Sequence, residues 1–74
     1  MKEMERLERM SLSASQLLQL LVEAGDWASS LLKLSSSTVY FDKMLSVEHK
    51  IKSVYQEAHE LRGEILEAKR ELEE

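Results

Sequence analysis

MLSVEHKIKSVYQEAHELRGEILEAKREL, residues 44–72, sets apolar side chains on alternating steps of three and four: Met44, Val47, Ile51, Val54, Ala58, Leu61, Ile65, Ala68 and Leu72. With Met44 at position a, every a and d position of four heptads is Met, Val, Ile, Ala or Leu, and most outer positions are charged. A helix turns once per about 3.6 residues, so this repeat draws a stripe along one side of a helix and predicts a seam for a partner helix.

The positions beside the seam carry a second pattern. The g positions are Lys50, Glu57, Glu64 and Glu71, and the e positions are Glu48, Tyr55, Arg62 and Lys69. In a parallel self-pair, g of one chain faces the following e of the other, which sets Glu57 by Arg62 and Glu64 by Lys69. An antiparallel self-pair brings g against g and sets Glu against Glu. Packing onto a helix of the same chain uses the same seam and leaves these charges in solvent. The pattern leaves open whether the seam is filled within a chain or between chains.

Upstream, Ser13 and Gln16 stand in capping-box register, with Leu12 and Leu17 at the hydrophobic-staple positions around them. This predicts a helix from Ser13 to about Leu34 with Leu17, Leu21, Ala24, Trp27, Ala28 and Leu31 as bundle core. Leu18, Leu20, Leu32 and Leu34 widen the apolar arc beyond what one partner helix covers. Only Glu23, Asp26 and Lys33 are charged between Ser11 and Phe41. The apolar phase passes through Gly25 unchanged, and one helical Gly costs only about 1 kcal/mol, so continuity is expected there. Residues 1–12 read as a polar N-terminal extension and 13–74 as the domain. Ser35-Ser36-Ser37-Thr38 and Asp42 are the turn and capping signals, and they place the chain reversal between Ser35 and Asp42.

Composition agrees with helices. The chain has 74 residues, no Pro, two Gly and no Cys. So short a chain buries a modest core, and without Cys neither a disulfide nor a thiolate metal site can reinforce it. The expected fold is all-α: an antiparallel hairpin of two long helices that dimerises into a four-helix bundle. A net charge of −4 argues against a nucleic-acid partner, which calls for a basic stripe. The longest apolar runs, such as Leu20-Leu21-Val22, are far short of a transmembrane segment. The first ten residues alternate Glu with Lys and Arg and do not form a secretory signal, so a cytoplasmic location is expected.

The chemistry-bearing residues form no reactive constellation. His49 and His59 fall at outward f and b positions. Glu60 with Glu64, and Glu67 with Glu71, stand one helical turn apart, a spacing routine on helix surfaces. No Ser lies in a Gly-x-Ser-x-Gly elbow and no Gly-rich phosphate loop is present. Trp27, Tyr40, Phe41 and Tyr55 fit core packing better than a ligand cage. The expectation is a protein that is not an enzyme, with no catalytic residue, metal or cofactor, acting through self-association and a protein partner.

Leu21-Val22-Glu23-Ala24-Gly25-Asp26-Trp27-Ala28-Ser29-Ser30-Leu31-Leu32-Lys33-Leu34, running on to Asp42, resembles the first helix of a hairpin repeat in the PhoU family of helical-bundle regulators of phosphate uptake. Leu45-Ser46-Val47-Glu48-His49-Lys50-Ile51 is similar to the start of that family's second helix, and the likeness covers about residues 17–66. It implies a bundle hairpin and, as an alternative function, an accessory domain regulating ion or phosphate transport. The family's metal motif repeats an acid four residues on. Glu48 matches the first acid, but Lys52 stands at the second, so metal binding is not carried over.

Overall fold

The first arm of the sequence is rich in Leu and the second in Glu, Lys and Leu, and neither contains Pro, so nothing interrupts a helix once its apolar face is docked. The computed structural model, which describes residues 2–73, is an antiparallel hairpin of α1 (Glu3–Leu34) and α2 (Phe41–Glu73). It measures 55 × 15 × 14 Å. Met1 of the expected extension and Glu74 at the end of the expected domain lie outside the described residues. α1 is continuous through Gly25.

α1 begins at Glu3, not at Ser13. Lys2, with extended φ −70° and ψ 151°, precedes it and offers no side-chain cap. Residues 3–12 are therefore helix and not a separate extension. The reason is tertiary: Leu7 is 7% exposed and clusters with Ala14 and Ile65, with Ala68 against them. Burying that leucine outweighs a cap signal worth about 1 kcal/mol. Ser13 lies exposed in mid-helix, and Ser11 instead donates back to the Glu8 carbonyl at 2.9 Å.

The face α1 turns to α2 is Met4, Leu7, Ser11, Ala14, Leu18, Leu21, Gly25, Ala28, Leu32 and Ser35, a heptad stripe whose members are all buried or half-buried. Many are small, and small side chains at a helix crossing permit close approach. α2 answers with Phe41, Met44, Glu48, Ile51, Tyr55, Ala58, Arg62, Ile65 and Lys69. Three polar contacts fix the register. Arg62 Nε donates to Ser15 Oγ at 2.7 Å, Ser29 Oγ donates to a Glu48 carboxylate oxygen at 3.4 Å, and Lys69 Nζ lies 3.8 Å from the Glu8 carboxylate. Each heptad step along α1 is matched by one heptad back along α2, so the three contacts agree on one alignment.

The reversal occupies residues 35–40, inside the expected interval. Ser35 closes α1, its N–H donating to the Leu31 carbonyl at 2.9 Å and its hydroxyl to the Leu32 carbonyl at 2.9 Å. Ser37 takes the left-handed φ of 66°. Thr38 Oγ1 donates to the Ser35 carbonyl at 2.6 Å and accepts from the Tyr40 N–H at 3.2 Å. Asp42, expected as a cap, already sits in the first turn of α2, and the Thr38 hydroxyl holds the N–H of Tyr40, the residue that precedes the helix.

Candidate helix-pairing surface

The predicted seam is split by the fold. Its a positions Met44, Ile51, Ala58 and Ile65 turn toward α1, with Ala58 and Ile65 buried. Its d positions Val47, Val54 and Leu61 are 40%, 47% and 51% exposed. Ala68 is half-buried against the Leu7 cluster, and Leu72 is exposed. The intrachain contact thus uses a and e, and e supplies the polar residues that read register. Arg62 and Lys69 are engaged by α1 through Ser15 and Glu8, whereas Glu57 and Glu64 point to solvent.

The expected bundle core of α1 divides in the same way. Ala28 is buried, Leu21 and Ala24 are half-buried, and Leu17, Leu31 and Trp27 are exposed, Trp27 by 76%. Heptad spacing joins the exposed members with Met10, Leu20 and Leu34 into a second stripe beside the intrachain seam. Two grooves show that this stripe shares a face with the outward d row of α2. Met10, Ala14 and Leu17 line one with Ala58, Leu61 and Ile65, and Leu31 and Leu34 line another with Tyr40, Met44 and Val47. Val54 falls between, one heptad from Val47 and from Leu61.

One face of the hairpin is therefore apolar along most of its length, while no large side chain among the described residues is fully buried. The opposite face is mixed: Leu21, Val22, Gly25 and Ile51 share its groove with Lys52, Tyr55, Gln56, His59 and Glu60. His49 and His59 are exposed, and the His59 ring centroid lies 6.2 Å from that of Tyr55. Glu48 is buried, held by Ser29 and, 3.3 Å away, by the Lys52 ammonium.

Charge borders the apolar face unevenly. Lys43, Lys50, Glu57, Glu64 and Glu71 recur at heptad spacing on the outer edge of α2, basic toward the turn and acidic toward the chain ends. Along the α1 edge, Arg6 and Arg9 line the groove near the chain ends.

Ser11 and Ala14 are buried residues that the sequence pattern did not single out. Their signal is the heptad count from Met4, carried by small and polar residues and overshadowed by the neighbouring leucine stripe. Among the described residues no helix is long and apolar enough to cross a membrane. No family model, curated protein or solved structure matches this chain.

Proposed function

We propose that this chain is a non-catalytic assembly or regulatory module that acts through self-association and a protein partner. The observation that supports the reading is the apolar face carrying Leu17, Leu31, Val47, Val54 and Leu61, left open by a hairpin whose own seam is narrow and rich in small residues. An extended apolar face on a small protein marks an interaction surface, and burial of apolar area yields roughly 25 cal/mol per Å². Two hairpins laid face to face make a four-helix bundle, which converts both exposed stripes into core.

Charge placed in that face tests the reading. Leu17→Glu with Leu61→Glu should leave a helical monomer by circular dichroism and light scattering. Leu12→Glu with Val22→Glu, at exposed positions away from that face, should leave the mass unchanged. Equal masses for the two pairs would refute the assignment of the face.

A further inference from the structure

We infer that the occupant of the apolar face is a second copy of this chain in head-to-tail orientation, its turn lying over the partner's chain ends about a twofold axis near Glu57 and Leu20. The inference rests on the proposed self-association and adds its geometry. A twofold contact requires the surface to complement itself when reversed.

The α2 edge meets that requirement. Glu57 is the midpoint of α2 (Phe41–Glu73). Reversal about it sets Lys43 beside the partner's Glu71 and Lys50 beside the partner's Glu64. The same reversal sets Val54 within one residue of level with the partner's Leu61 and Val47 within one residue of the partner's Ala68, so charged edge and apolar row match to within one residue. The intrachain register places Leu20 level with Glu57, so Leu20 meets the partner's Leu20 while the large Trp27 lies over the small Ser13 of the partner.

The other twofold packing, with both turns at one end, sets α1 against the partner's α2. Leu20 and Trp27 would then face the partner's Glu57 and Lys50, apolar groups against charged ones. Head-to-tail packing keeps apolar rows together and opposes unlike charges, and the Glu-against-Glu contact expected of an antiparallel self-pair is confined to the axis, where Glu57 faces the partner's Glu57.

Sedimentation equilibrium at low salt on charge variants tests the arrangement, with circular dichroism confirming that helix is retained. Lys43→Glu with Lys50→Glu should weaken the dimer about tenfold or more, because each attraction becomes a repulsion at two symmetric places. Adding Glu64→Lys and Glu71→Lys restores the net charge of −4 and should restore the dimer. Glu57→Gln should tighten it several-fold. A wild-type dimer whose quadruple variant associates no better than the double variant, or that is indifferent to Lys43 and Lys50, overturns the head-to-tail arrangement and leaves self-association standing. A wild type that remains monomeric overturns both.

Discussion

Arg62 reaches across the hairpin to Ser15, its Nε donating to the serine hydroxyl at 2.7 Å. A long charged side chain thus occupies a seam position with its stem covering apolar surface, and a small polar residue opposite receives its head. Ser15→Ala should destabilise the hairpin by about 0.5–1.5 kcal/mol, the usual net worth of such a bond. Ser13→Ala, exposed and mid-helix, should be neutral or stabilising by a few tenths of a kcal/mol through helix propensity. Chemical denaturation of the two variants checks the pair, and a cost confined to Ser13→Ala would restore a helix start there.

Ile65 and Leu61 stand one turn apart on α2 but do different work. Ile65 is 6% exposed within the hairpin, so Ile65→Ala should cost about 2–5 kcal/mol at every protein concentration. Leu61→Ala removes a side chain from the open face, and its cost should appear at concentrations where the wild type is associated and vanish on dilution. Thermal melts over a hundredfold concentration range separate the two behaviours.

Glu48 is a buried carboxylate on the inward row of α2 that also carries Tyr55, Arg62 and Lys69. Replacing a desolvated, hydrogen-bonded charge by a hydrophobic residue of similar volume is often neutral or stabilising. Glu48→Leu should therefore melt at or above the wild-type temperature, while Ser29→Ala, which leaves the carboxylate with Lys52 alone, should melt lower. The reverse order would show that Glu48 stabilises through its charge.

The backbone offers three sites for improvement. A Cβ added at Gly25 or Gly63 meets nothing within 4 Å, so Gly25→Ala and Gly63→Ala should each stabilise by about 0.5–1 kcal/mol. Ser37 holds a φ of 66° that glycine adopts without strain, so Ser37→Gly should also raise the melting temperature. A loss of stability at Gly25→Ala would mean that a partner helix approaches closely there.

The two helices and their reversal were legible because heptad periodicity and a run of Ser and Thr are local signals. Which face of α2 meets α1 was not. Val47, Val54 and Leu61 are as apolar as Ile51 and Ile65, and only pairing with the small-residue stripe of α1 decides that Glu48, Tyr55 and Arg62 turn inward instead. Ser13 misled for a related reason. Its cap pattern is a local signal of about 1 kcal/mol, and the docking of Leu7 against Ile65, between residues far apart in the chain, overrides it.

The proposed dimer covers the apolar face that the hairpin leaves open. The most direct measurement is the mass of the wild-type protein by sedimentation equilibrium across a dilution series. The expected outcome is a species of twice the 8.6 kDa chain mass that dissociates on dilution, with a melting temperature falling in step. A single-chain mass at every concentration, with a melting temperature that does not move, would rule the dimer out.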